Sequence, residues 1–262
     1  MDNRLYVRAA PVVARYAGLI WRNGLRELLL IALAFFFYSL VRMGSNDRQV
    51  EATYNAVDLV QLQRTLWLAH EADIQKLILW SDFLVRVFNT MYTFGHFWLI
   101  GVAGIWLFYF HRGQYTLFRN AFFIAGAISL VAFNVLPLAP PRLLPGSFGA
   151  VDTLRLFSDV NYENSGTFVN EYAAMPSLHI AWNLLIALAI ASTTQNRYVR
   201  FVCAAMPLVM STTVVVTGNH WILDVFAGYA VGMVGLGGAL LMRREGWRLR
   251  QLLDPPSRTA SA

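Results

Sequence analysis

Residues 218–244 read Gly-Asn-His-Trp-Ile-Leu-Asp-Val-Phe-Ala-Gly-Tyr-Ala-Val-Gly-Met-Val-Gly-Leu-Gly-Gly-Ala-Leu-Leu-Met-Arg-Arg. From His220 to Met242 this stretch meets the length and apolarity of a membrane helix, which needs about 20 mostly apolar residues. Its one polar end carries His220 and Asp224, four apart and hence on the same face of a helix. Ionisable groups at the mouth of a span are costly to keep and call for a role. One stretch thus holds a membrane span and, at its opening, two groups able to do chemistry.

The rest of the chain has the same character. Of its 262 residues, 57% are hydrophobic and only 14% charged, against about 25% charged in soluble domains; the mean hydropathy is +0.47. Besides 220–242, the runs 25–43, 89–110, 119–138, 174–193 and 199–217 are long and apolar enough to span, the first being shortened by Arg26 and Glu27. The sequence predicts an all-α, polytopic membrane protein: a six-transmembrane-helix bundle over 25–242, between a basic N-terminal arm (1–24) and a basic tail (243–262). No internal repeat is visible. The basic arm precedes a first apolar run with no small-residue cleavage site, so that run is expected to be retained as a span.

The net charge of +6 comes from 21 basic residues. These are scattered in short clusters between apolar runs rather than gathered into a stripe, which argues against nucleic acid as a partner. Arg4, Arg8, Arg15, Arg22 and Arg26 precede the first span; Arg112 and Arg119, then Arg197 and Arg200, follow the second and fourth. Arg243, Arg244, Arg248 and Arg250 follow the sixth. With six spans all four groups fall on one side, expected to be the cytoplasm, with both termini there. Asp152, Asp159, Glu163 and Glu171 fall on the other side. The single cysteine, Cys203, lies in an apolar run and excludes an intrachain disulfide. Between the first two runs, 47–86 carries Val57, Val60, Leu62, Leu66 and Leu68 at helical spacing among charges of both signs. It reads as an interfacial amphipathic helical segment on the outer side.

Two further stretches reach the same outer face. Pro137-Leu138-Ala139-Pro140-Pro141-Arg142 ends the third run; its prolines stop the helix and present an arginine whose planar fork matches phosphate oxygens. Met175-Pro176-Ser177-Leu178-His179 opens the fourth, where free first-turn amides form an anion site and His179 could donate a proton to a leaving group. At the sixth, a carboxylate four residues from His220 could orient the imidazole and leave its other nitrogen nucleophilic. Singly, each has a plain alternative: a snorkelling arginine, an interfacial histidine, a self-neutralising His–Asp pair. Three spans delivering an arginine, two histidines and an aspartate to one membrane face favour a phosphate-ester site.

Taken together, Ala-Pro-Pro-Arg (139–142), Met-Pro-Ser-Leu-His (175–179) and His220 with Asp224 resemble the motifs of the type-2 phosphatidic acid phosphatase (PAP2) superfamily. The resemblance is nearer to its inositol-phosphorylceramide synthase-like branch, with Asn89, Tyr92 and His96 also similar, and it runs from about Val57 to Gly232. It implies a phosphatase or phosphotransferase with His220 as nucleophile forming a phosphohistidine, Asp224 orienting it and His179 as acid. Arg142, Ser177 and Asn219 would hold the phosphate, and Tyr92 and His96 would line the substrate. The implied partner is a lipid phosphate or phospholipid in a bacterial-type plasma membrane, with no metal and no other cofactor. The chain departs from the common pattern at Val135 and Val214, where cations usually stand, and at Leu143, where a proline is usual. Hydrolysis of a phosphomonoester competes with transfer of a phosphorylated headgroup, which the branch favours slightly. A non-catalytic transporter or assembly subunit is the alternative from a different class. Substrate, acceptor and oligomeric state are not legible.

Overall fold

Long runs of Leu, Ala, Ile, Val and Phe without strand-like alternation fold here into helices. The computed structural model describes residues 24–39, 48–144, 150–157 and 171–253. The chain divides into two units, 1–41 and 42–262. In the first, the described part is a single helix, α1 (24–39).

The second unit contains α2 (Gln49–Thr65), α3 (Glu71–Leu79), α4 (Asp82–Thr90), α5 (His96–Phe110), α6 (Arg112–Val135), α7 (Thr153–Phe157), α8 (Leu178–Ala191), α9 (Arg197–Val216) and α10 (Ile222–Leu253). Among the described residues no strand forms, only an isolated parallel bridge between Leu138 and Ala173. Among the described residues, four helices are long and apolar enough to cross a membrane: Asp82–Phe110, Arg112–Val135, Arg197–Val216 and Ile222–Gly246. Their outward faces carry large apolar side chains such as Trp98, Ile105, Phe201, Leu208 and Phe226, as lipid contact requires.

The first of these spans begins earlier than residue 89. Ser81 caps α4 by accepting the Leu84 N–H, and α4 passes into α5 through a π-helical turn, Met91–Gly95. The fourth apolar run, conversely, is shorter than 174–193. Pro176 and an extended Ser177 hold its start out of helix, and α8 is an apolar helix of 14 residues. α10 runs past Met242 to Leu253, carrying helix into the basic stretch read as tail. The arm to residue 23, most of the segment 146–171 with Tyr162, Asn164 and Asn170, and the stretch 254–262 lie outside the described residues.

The core is built on α10, which packs between α6 and α8. Ala121, Ala125, Leu185, Ala189 and Ala239 fill one end; Ile180, Met210, Val214 and Val225 fill the other. The close approach of α8 to α10 depends on Gly228, where a Cβ would stand 2.5 Å from the Ser177 carbonyl oxygen and 2.9 Å from Ile180 Cβ. Small residues permit such contact in membrane bundles.

The described part of the segment 47–86 holds α2, α3 and the start of α4, with Leu66 and Leu68 in the turn between the first two, and its inner face differs from the one its apolar residues suggest. Ala52, Ala56, Val60 and Gln63 are buried, while Leu62, Leu66 and Trp67 are exposed. Small side chains let α2 approach Leu138, Ala139 and Trp221 closely. Backbone and side-chain bonds fasten it there: Ala139 N–H donates to the Ala52 carbonyl at 3.1 Å, and Asn55 Nδ2 to the Pro137 carbonyl at 2.8 Å.

Candidate active site

Three loop-to-helix junctions meet beside α2 and α3. The segment after α6 crosses the one before α8, with Leu138 N–H on the Tyr172 carbonyl at 2.7 Å and Ala174 N–H on the Leu138 carbonyl at 3.3 Å. The α9–α10 turn closes against both. α9 ends with Gly218 at φ +70, the left-handed conformation that glycine adopts most readily at a helix C-terminus. The Gly218 carbonyl then accepts the Arg142 N–H at 2.9 Å. Ser177 N–H donates to the Asp224 carbonyl at 3.1 Å, so α8 and α10 start side by side.

His220 is buried at 5% exposure. Its Nδ1 lies 2.8 Å from the Ala174 carbonyl oxygen. A carbonyl only accepts, so the proton is on Nδ1 and Nε2 keeps its lone pair. Asp224 Oδ2 is 3.4 Å from the same Nδ1 and accepts the Trp221 N–H at 2.8 Å. The ring is therefore oriented first by a backbone carbonyl, with the fully buried Asp224 carboxyl group next to the protonated nitrogen.

The other rings gather around it. The His179 ring centroid is 5.9 Å from that of His220, and Tyr92 stacks on His179 at 4.4 Å. The His96 ring centroid lies 4.7 Å from that of His179. Tyr92 lies in the π-helical turn and His96 directly follows it, four residues on and on the same helix face; such turns frequently mark functional positions. His96 is 1% exposed, and its Nδ1 has no hydrogen-bond partner.

Arg142 stands in a short 3-10 turn, Pro141–Leu143, with its side chain 9% exposed. Its Nε donates to Asn219 Oδ1 at 3.0 Å, while Asp152 and Glu171 lie 3.4 and 3.7 Å from its terminal nitrogens. Asn219 Nδ2 donates to Thr217 Oγ1 at 2.9 Å. Both ends of the Asn219 side chain are thus used within the protein, and it orients Arg142 rather than presenting a free amide. Ser177 is the N-cap of α8 but makes no capping bond; its buried Oγ is without a partner. Of the two positions where cations are usual, Val214 is fully buried in the core and Val135 is 72% exposed.

Sequence reasoning brings Arg142, Ser177, His179, Asn219, His220, Asp224, Tyr92 and His96 to one end of the helices, and the structure joins them through the contacts above. It does not find Ala174, which acts through its backbone, nor Asp152, nor the buried side chains of α2 and α3. Gln63 accepts the Leu223 N–H at 3.0 Å, and Glu71 the Ile222 N–H at 2.9 Å. Gln75 takes the Val151 N–H at 2.8 Å, beside Asp152. Asn89 holds the neighbouring Thr153 through its carbonyl at 2.8 Å. A glutamine or glutamate inside an otherwise apolar helical face is the available signal. Among the described residues, no group of three or more His, Cys, Asp and Glu side chains is placed to hold a metal ion.

Residues 57–237 match the family described as the PAP2 superfamily. A crystal structure of Aquifex aeolicus LpxE is similar at 18% identity, covering 61% of this chain and 84% of that one, with a TM-score of 0.44. No curated protein matches the chain.

Proposed function

Because the chain belongs to the PAP2 superfamily, and is an enzyme of the phosphatase type, we propose that it transfers a phosphorylated headgroup between membrane lipids with His220 as nucleophile. The observation that carries this reading is the Nδ1–Ala174 hydrogen bond, which leaves His220 Nε2 a free base beside His179. Nε2 attacks phosphorus, a nitrogen–phosphorus bond forms, and the bond to the leaving oxygen breaks. Protonated His179 gives its proton to that oxygen. The phosphohistidine ring now carries positive charge at the Nδ1 side, next to Asp224. An acceptor hydroxyl then yields its proton to His179 and attacks phosphorus, and the nitrogen–phosphorus bond breaks. Phosphoryl transfer of this kind rests on positioning and charge stabilisation.

The phosphoryl oxygens are held by Arg142 and by the first turn of α8, with Ser177 Oγ as a further donor. Charge favours transfer over hydrolysis of a monoester. Arg142 is already flanked by Asp152 and Glu171, and a dianionic phosphomonoester meets more repulsion there than a monoanionic diester does. The two valines at 135 and 214 leave that balance uncorrected. In topology, α1 and α8 complete six spans, the site faces the extracytoplasmic side, and both termini are cytoplasmic, as the arginine distribution implies.

Purified protein in detergent or liposomes, offered lipid phosphomonoesters and phosphodiesters with and without alcohol acceptors, tests this. Headgroup transfer from a diester is expected, and His220→Ala should abolish both transfer and hydrolysis. Full activity in His220→Ala would sink the mechanism; phosphate release from monoesters alone would replace transfer with hydrolysis.

A further inference from the structure

Helix N-termini leave their first amides without internal partners, and such amides serve water or anions. Two helices start at this site, and they are treated differently. At α10 each amide in turn is taken by a side chain. Trp221 N–H goes to Asp224 Oδ2 at 2.8 Å, Ile222 N–H to Glu71 Oε1 at 2.9 Å, and Leu223 N–H to Gln63 Oε1 at 3.0 Å. Gln63 Nε2 also donates to Glu71 Oε1 at 2.7 Å, tying the two acceptors together. Gln63 is fully buried and Glu71 is 6% exposed. At α8 the cap side chain, Ser177, makes no such bond.

The two acceptors come from far away in sequence, 160 and 151 residues from their donors. They belong to α2 and α3, outside all three motif segments. The turn they grip is held from the opposite side as well. His220 N–H donates to the Val214 carbonyl at 3.1 Å, and the Trp221 indole to the Ala139 carbonyl at 2.9 Å. His220 is therefore suspended between the end of α9 and a first turn of α10 that cannot shift without breaking buried bonds. A displacement of about 1 Å at a reacting group can cost about 10²-fold in rate.

Resting on the reading of His220 as nucleophile, we propose that Gln63 and Glu71 are positioning residues for it, acting through the first turn of α10. Their carboxylate and amide oxygens close that helix end, so the phosphate is bound at the α8 end alone. A glutamate suits position 71 because negative charge is favourable at a helix N-terminus and one oxygen serves two donors. Its geometry, however, is what aims His220, and a glutamine of the same shape retains an oxygen there.

The test compares Glu71→Ala and Glu71→Gln with the wild type on a lipid phosphodiester, measuring kcat, KM and the single-turnover rate of phosphoprotein formation. Glu71→Ala should lower kcat and the phosphorylation rate together by roughly 10- to 100-fold, with KM changed less than about threefold. Glu71→Gln should return kcat to within about threefold of wild type. Unchanged kcat in folded Glu71→Ala, a change in KM alone, or equal loss in both variants would overturn the proposal. If Glu71→Ala does not fold, Gln63→Met decides: a loss confined to kcat supports the role, and wild-type kcat removes it. An inactive wild type on every lipid phosphoester would instead defeat the proposed function, so the two failures are distinguishable.

Discussion

His220 donates its Nδ1 proton to the carbonyl oxygen of Ala174 at 2.8 Å, while the carboxylate of Asp224 stands 3.4 Å from the same nitrogen. The tautomer of His220, the proposed nucleophile, is thereby set by the backbone of the segment leading into α8. The aspartate is left to hold the Trp221 amide and, in the proposed mechanism, to balance charge. That division separates two jobs that a triad-like reading assigns to one residue.

Asp224→Asn keeps an oxygen for the Trp221 N–H and leaves the Ala174 bond intact. The loss should therefore be the electrostatic part only, about 10²- to 10³-fold in kcat, smaller than the roughly 10⁴-fold that accompanies a wrong tautomer in serine proteases. Steady-state kinetics of Asp224→Asn beside His220→Ala checks this; equal losses would return the orienting role to Asp224.

Gly228→Ala would push a methyl group to 2.5 Å from the Ser177 carbonyl, which is backbone and cannot swing aside. Overpacking of this kind costs about 1–3 kcal/mol and should part the starts of α8 and α10. A lower thermal midpoint with a disproportionate fall in kcat is expected, since Ser177 and His179 move with α8. Ala227→Gly in the same assay is the neighbouring control.

Asp152 and Glu171 flank the guanidinium of Arg142, the proposed phosphate ligand. Asp152→Asn should raise activity toward dianionic phosphomonoesters by roughly 5- to 10-fold relative to phosphodiesters, as one like-charge repulsion near the phosphate is removed. Ratios of kcat/KM for a matched monoester and diester report the effect; an unchanged ratio would remove the charge argument for transfer.

Much of the site is legible in the chain because its chemistry lies in short, local patterns. Pro140-Pro141 before Arg142, Pro176-Ser177 before His179, and the four-residue step from His220 to Asp224 each encode a helix end and a side chain beside it. Tyr92 and His96 are legible as residues sharing a helix face but not as neighbours of His179, because that contact is made across to α8. Asn219 is read as a phosphate donor and is found bonded to Arg142 and Thr217, since sequence names a side chain but not its partner.

By itself the sequence determined that this protein is an all-helical membrane chain and which residue types stand at the helix ends, since apolar run length and capping chemistry are local quantities. Tertiary structure alone decided that the tautomer of His220 is set by Ala174, that Asp152 and Glu171 flank Arg142, and that Gln63 and Glu71 close the N-terminus of α10. Those facts come from backbone groups and buried polar side chains meeting across gaps as long as 160 residues. No periodicity records such meetings, because they are fixed by how closely α2, α8 and α10 can pack.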